Sequence, residues 1–477
     1  MLRPLVLAAL LASLSAPTQA DPGAVAALER APESKLVRDA GFAPDDIGFV
    51  AVDLDDGRAV AEHLADSLFI PASVAKLATV YPAQQLLGAD FRFETKLYRA
   101  GDALYLQGGG DPVLDNIALR DLARQIKPDK NARWRSFFYD ASSVAAEAEV
   151  DHGQPAEAVY NAGFGALNVD FNRVQINWSR EDDGKIAFHP RAVADGLNVP
   201  ADWIRLLPAE GAEPPGANFL YAGDGSGERW LYAPDLAETL PEDGALFLPV
   251  KAPAADTARV FRRIAADLSI ALPEPRAGTV PTDAVLVGSI QSPPLPAVIA
   301  GLLKYSNNVT AELIGMAASR KLTGRVLDPT ASSAALGGWL SNRLSYVDWS
   351  GFKLLNHSGL SSLNRASPRQ IAAILTAIAR DPVLTPLLSP IMGDDRGAMA
   401  EAKTGTMDFA CGLAGFLTAK SGRRLAFTIF VIDRKRRAAL DASFDSRVLA
   451  PTPGAQAWLG RAHALEEALL KNWRQRF

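Results

Sequence analysis

The chain has 477 residues, 48% hydrophobic and 22% charged, with 49 Lys and Arg against 54 Asp and Glu for a formal net charge of −5. That apolar content suffices for a large core and two or three domains, and the mixed, slightly acidic charge excludes the basic surface a nucleic-acid partner needs. A single cysteine, Cys411, rules out an intramolecular disulfide, so packing alone must hold the fold.

Residues 1–20 combine Arg3, an apolar run over 5–14 and small residues closing at Thr18-Gln19-Ala20. This is the pattern of a secretory signal peptide. The run is too short to span a bilayer, and no later segment approaches the roughly 18 consecutive apolar residues that a span requires. An exported, soluble protein is expected. No cysteine follows the cleavage point to carry a lipid anchor.

Residues 47–54 and 58–62, joined through Asp56-Gly57, predict a β-hairpin. Asp53, Asp55 and Gly57 imitate a calcium loop, but its twelfth position is Leu64, which has no carboxylate to give. Pro71 then precedes Ser73 and Lys76, and Leu77, Val80 and Tyr81 follow at helical spacing. The serine should therefore open a helix, which Pro82 is expected to kink or end early. From about 93 to 289 the character changes to short strand-like runs, such as 103–107. These are broken by Gly108-Gly109-Gly110, by Gly223-Asp224-Gly225-Ser226-Gly227 and by prolines, as in a strand-rich insertion. The three glycines lack dinucleotide-loop spacing and predict a turn.

Helical patterning returns over 296–304, 309–320 and 368–380. Residues 411–418 and 424–432 flank Lys420-Ser421-Gly422 and predict two buried antiparallel strands. The tail, 456–476, predicts a helix with Trp458, Leu459, Ala462, Leu465, Leu469 and Trp473 on one side. That basic helix has two uses open to it, packing on the sheet or touching a membrane surface; packing is favoured because Glu466 and Glu467 oppose anionic lipid. The expected class is α+β, an antiparallel sheet flanked by helices and interrupted by the insertion.

Three short motifs stand in order: Ser73-Val74-Ala75-Lys76, Ser306-Asn307-Asn308 and Lys403-Thr404-Gly405-Thr406. Each alone is weak, and the chain contains imitations at Ser350-Gly351-Phe352-Lys353 and Ser362-Leu363-Asn364. The first imitation has a glycine where helix is needed, and the second sits in a loop-like stretch. The ordered set makes a serine acyl-transfer site. On a helix Lys76 shares a face with Ser73 and can take its proton, provided burial and a nearby cation such as Lys403 keep the amine neutral. Ser306 suits relay of that proton to a leaving amine, and Asn308 suits steadying Lys76 and the substrate backbone. Lys403, Thr404 and Thr406 suit a terminal carboxylate on the substrate. Gly405 allows close backbone approach, and the N–H groups of Ser73 and Thr406 suit an oxyanion hole.

With these motifs the chain resembles the penicillin-recognising serine enzymes. The first interval, 306 − 73 = 233 residues, against 403 − 306 = 97 for the second, resembles the class C low-molecular-mass penicillin-binding proteins, the D-alanyl-D-alanine carboxypeptidase/endopeptidase family. The stretches 104–112, 160–168, 358–361, 364–365 and 367–370 carry the same resemblance. It implies a transpeptidase/β-lactamase-like core over 21–98 and 289–477 and an insertion over 99–288, nested as about 99–122 with 190–288, and 123–189. It also implies a periplasmic location, peptidoglycan stem peptides as substrate and β-lactam antibiotics as covalent inhibitors. Asp140 corresponds to an acidic residue that reads the substrate's side chain. Asn356-His357 departs from the family's usual acidic residue and glycine before Ser358.

No cofactor or metal is expected, since His63, His152, His189, His357 and His463 show no HExxH or similar spacing. Cys411, near the third motif, reads as a buried small hydrophobe before a reactive thiol. The rival functions are a β-lactamase, for which no Glu-x-x-Leu-Asn deacylation segment is present, and a non-catalytic peptidoglycan-binding scaffold, which would not need both lysines.

Overall fold

A computed structural model describes residues 28–29, 31–126, 134–194, 196–210, 218–223, 227–392 and 397–477. The signal-peptide segment and part of the glycine run at 223–227 lie outside the described residues. The hairpin forms from β1 (Ile47–Asp53) and β2 (Ala59–His63). Gly57 turns it at φ 75, a left-handed conformation that costs glycine least. A 3₁₀ turn over Ala72–Ala75 runs into α1 (Lys76–Leu87). After the insertion come α2 (Leu295–Tyr305), α3 (Asn308–Thr323), α4 (Pro329–Arg343) and α5 (Pro368–Ile378). The chain then forms β3 (Ser389–Met392), β4 (Ala398–Met407), β5 (Ala410–Thr418), β6 (Arg424–Ile432) and the closing helix α6 (Ala455–Arg476).

These six strands make one antiparallel sheet in the order β3-β4-β5-β6-β1-β2. Along β6, Leu425, Phe427, Ile429 and Val431 join Trp458 and Trp473 of α6 in one core. Ala426, Phe430 and Ile432 join the core built with α1 to α5. A strand buried on both faces reads as the continuous apolar run seen in the sequence, and each large side chain so buried contributes about 1.5–3 kcal/mol. The apolar side of α6 is therefore spent on protein: its six residues named above are all buried, and Trp473 Nε1 donates to Glu33 Oε1 at 2.9 Å. Among the described residues no helix is long and apolar enough to cross a membrane.

The early end expected at Pro82 does not occur, since α1 runs through it to Leu87. Pro82 removes one hydrogen bond to the preceding turn, a defect of about 3 kcal/mol in an isolated helix. Here Leu77, Ala78, Val80, Tyr81 and Ala83 are all buried in the core, and that burial outweighs it.

The insertion leaves and rejoins the core at one place. Ser292 N–H donates to the Phe93 carbonyl at 2.9 Å, and Phe93 N–H donates to Ser292 Oγ at 3.0 Å. Glu94–Ala100 pairs with both Ala103–Gln107 and Val285–Gln291 in a sheet completed by Ser136–Asp140 and Arg276–Ala277. A second sheet holds Arg173–Arg180, Ile186–Ala194, Leu197–Pro200 and Asp243–Pro249, and a third holds Arg205–Pro208, Phe219–Tyr221 and Arg229–Tyr232. The strand Ile186–Ala194 runs straight through the 189/190 point of the nested division. Gly108 and Gly109 mark a close crossing of chains: a Cβ there would lie 2.2 Å from the Ala166 carbonyl oxygen and 2.3 Å from that of Glu94.

Candidate active site

The three motifs, 233 and 97 residues apart in sequence, meet between α1, the α2–α3 junction and β4. Ser73 lies in the 3₁₀ turn, and the helical rise brings Lys76 Nζ to 2.8 Å from Ser73 Oγ. Lys76 is 0% exposed. Its amine also donates to Asn308 Oδ1 at 2.8 Å and to the Ser358 carbonyl at 2.7 Å. Burial first, and then the ammonium of Lys403, hold Lys76 well below the ordinary lysine value; the Glu312 carboxylate partly opposes them.

Ser306 caps α2 in a left-handed conformation, φ 56 and ψ 30, with its N–H on the Leu302 carbonyl. Such a backbone costs a non-glycine residue of order 1–3 kcal/mol. It turns the chain sharply enough for Asn307 to cap α3 through its side chain and for Asn308 to begin that helix. Asn308 Nδ2 donates in turn to the Tyr160 carbonyl at 2.9 Å, which links the insertion to the lysine.

On β4, Lys403 is buried, donates to the Thr404 carbonyl at 2.7 Å and is pushed by burial down to about 8. Gly405 packs against the serine's turn: a Cβ there would lie 2.7 Å from the Pro71 carbonyl oxygen and 3.1 Å from Ser73 N. Thr406, Ser73, Ser306 and Asn308 line a cleft of about 690 Å³ together with Gln154 and Tyr160 of the insertion and residues of the 443–456 segment. Thr404 is exposed on the same strand.

Two imitations fall away. Gly351, at φ 73, breaks the first, and the Lys353 backbone bridges to Arg365; Ser362 lies in a turn, its carbonyl accepting from Arg365. Asp140 is not among the residues that line this cleft. At the end of its strand its carboxylate accepts from Ser142 N–H and Oγ–H, Val280 N–H and Gln107 Nε2. Burial would raise its pKa, and these four bonds together hold it below the ordinary aspartate value.

The residue that sequence reasoning missed is Glu312, one turn beyond Asn308 on α3 and 0% exposed. Its two oxygens accept from His357 N–H at 2.9 Å and Ser358 N–H at 2.8 Å. It thereby holds the loop whose Ser358 carbonyl meets Lys76. Burial raises Glu312 to about 7 against those bonds. A carboxylate inside the apolar run Ala311-Glu312-Leu313-Ile314 was the available signal. His357 is buried against Gly315, whose missing Cβ would stand 2.2 Å from the ring. Burial lowers His357 to about 3, and its Nε2 pairs with Ser332 Oγ.

A profile of the D-Ala-D-Ala carboxypeptidase 3 (S13) family matches residues 34–445. The chain belongs to that family. It is a serine peptidase. A D-alanyl-D-alanine carboxypeptidase of an Actinomadura species is 27% identical over 80% of this chain and 77% of its own length. The D-alanyl-D-alanine carboxypeptidase DacB of Haemophilus influenzae is 24% identical over 81% of this chain and 85% of its own. The crystal structure of penicillin binding protein 4 (dacB) from Haemophilus influenzae is similar in fold, with a TM-score of 0.73 at 20% identity over 93% of this chain and 100% of that one. That protein complexed with a β-lactam gives a TM-score of 0.70.

Proposed function

We propose that this family member is a periplasmic peptidoglycan DD-peptidase that works through an acyl-enzyme at Ser73. The observation that carries the reading is the set of partners around Lys76 Nζ. A neutral amine has two hydrogens and one lone pair. The Asn308 Oδ1 and the Ser358 carbonyl can only accept, so they consume both hydrogens and leave the lone pair for the Ser73 hydroxyl at 2.8 Å. Burial and Lys403 favour that neutral form.

In the proposed reaction Lys76 takes the Ser73 proton as Oγ bonds to the carbonyl carbon of the penultimate D-alanine. The N–H groups of Ser73 and Thr406 receive the oxyanion. Lys76 returns the proton through the Ser306 hydroxyl to the leaving nitrogen, the C–N bond breaks, and D-alanine or the far half of a D-alanyl cross-link departs. Water then cleaves the ester. Lys403, Thr404 and Thr406 hold the terminal carboxylate. Penicillin acylates Ser73 by the same first step. The pattern of residues 1–20 supports the periplasmic assignment.

Incubation with a labelled penicillin tests this. A stable adduct that disappears in Ser73→Ala and persists in Ser350→Ala and Ser362→Ala is expected. Absence of a Ser73-dependent adduct sinks the proposal, and loss of the label within minutes identifies a β-lactamase. A cross-linked muropeptide then separates endopeptidase from carboxypeptidase action, and an adduct with no cleavage of either substrate identifies a scaffold.

A further inference from the structure

Cys411 is the only cysteine in the chain, and it is buried on the side of β5 that faces α6. Its thiol meets Glu466 Oε1 at 3.5 Å. Glu466 is itself 5% exposed, among the apolar residues that dock α6. No lysine or arginine bonds to its carboxylate among the described side-chain contacts. His463 lies one turn earlier on the same helix, so residues i and i+3 present imidazole and carboxylate to the strand together. One ligand atom from each of the three lies within 4.8 Å of the other two. The exposed imidazole closes the cluster on its solvent side.

We propose that Cys411, His463 and Glu466 form a binding site for a zinc-class divalent cation, on the opposite side of the sheet from α1 and the serine. The donor set is the argument. Thiolate, imidazole and carboxylate are the three protein ligands that zinc takes, at about 2.3, 2.0–2.1 and 2.0–2.2 Å. Tetrahedral bonds of those lengths place neighbouring donor atoms roughly 3.3–3.6 Å apart. The thiol and carboxylate already stand at that separation, at 3.5 Å, and a nitrogen of the exposed His463 ring lies within 4.8 Å of both.

Charge argues the same way. Ionising Glu466 and Cys411 in this apolar layer without a cation leaves two uncompensated charges. A dication replaces the thiol and carboxyl protons, which pass to solvent, and the buried site becomes neutral overall. The three protein ligands leave a fourth position to water. Sequence spacing hid the site because Cys411 lies 463 − 411 = 52 residues before His463 and on a different element.

Occupancy would brace α6 against β5 at a sensitive register. Cys411 pairs directly with Thr406, the β4 residue whose N–H faces the developing oxyanion in the proposed reaction.

The test titrates the full-length, chelator-treated chain with Co²⁺ as a spectroscopic stand-in, then displaces it with Zn²⁺. One equivalent is expected, with a thiolate-to-cobalt charge-transfer band that Zn²⁺ abolishes, and a Tm that rises with Zn²⁺. Cys411→Ser should lose the band. His463→Ala, at an exposed position that leaves the core intact by near-ultraviolet circular dichroism, should weaken Co²⁺ affinity by about tenfold or more. A wild-type chain that gives no band, or cation binding that His463→Ala and Cys411→Ser both leave unchanged, overturns the proposal.

Discussion

Replacing Glu312 by Gln keeps the side chain's size and removes one of its two acceptors. Glu312 now receives both His357 N–H and Ser358 N–H. A glutamine can receive one, and its amide N–H₂ then confronts the other donor. The lost bond is charge-assisted and buried, a difference of about 1.5–3 kcal/mol. The loop that absorbs it is the one whose Ser358 carbonyl takes a hydrogen from Lys76 at 2.7 Å. If that carbonyl withdraws, the amine has a hydrogen without an acceptor and is free to turn its lone pair from Ser73. Felt in the acylation barrier, the same energy slows acylation by roughly 10- to 150-fold.

The pH dependence separates this from simple destabilisation. The Glu312 carboxylate raises Lys76, so its removal lets Lys76 fall further below the ordinary lysine value. The acid limb of the acylation profile, where protonation removes the base, should therefore move to lower pH in Glu312→Gln. Second-order acylation by a labelled penicillin, followed across pH beside thermal melts, measures both effects. Acylation within about twofold of wild type with an unmoved acid limb would refute the positioning role.

Three other expectations concern the frame. Asp170 is raised to about 7, first by burial and then by Asp115, and its Oδ2 has no hydrogen-bond partner. Its folded pKa stands above the unfolded one, so its stability contribution is complete below about pH 4 and is lost as pH rises through about 7. Asp170→Asn, in a left-handed conformation at φ 50 that asparagine tolerates, should raise Tm above pH 7 and leave it unchanged near pH 4, read from melts across pH. Gly359 has φ 81, and a Cβ there would lie 1.9 Å from the Ala72 carbonyl oxygen beside the serine. Gly359→Ala should cost at least about 3 kcal/mol in denaturant melts and abolish the penicillin adduct, whereas Gly324→Ala, at φ 70 in open space, should cost only about 1 kcal/mol. Asp140→Asn should lower stability by about 1–3 kcal/mol without changing the ratio of rates on stem peptides with different side chains; a changed ratio would return Asp140 to substrate reading.

What the sequence determined alone was local. The i, i+3 spacing of Ser73 and Lys76 and the helical patterns on either side of Ser306-Asn307-Asn308 depend on side-chain periodicity, which short stretches of chain dictate. The same periodicity exposed the two-sided burial of β5 and β6. Tertiary packing decided what lies across elements. Pro82 stays helical because a core encloses α1, Asp140 is absorbed by Ser142, Val280 and Gln107, and Glu312 grips a loop 45 residues later in the chain. The two acceptors of Lys76 Nζ at Asn308 and Ser358 come from positions 232 and 282 residues away. Cys411 meets Glu466 by the same kind of long-range closure. Short-range periodicity carries no term for such pairs, because their separation along the chain is set by how the sheet and its helices stack.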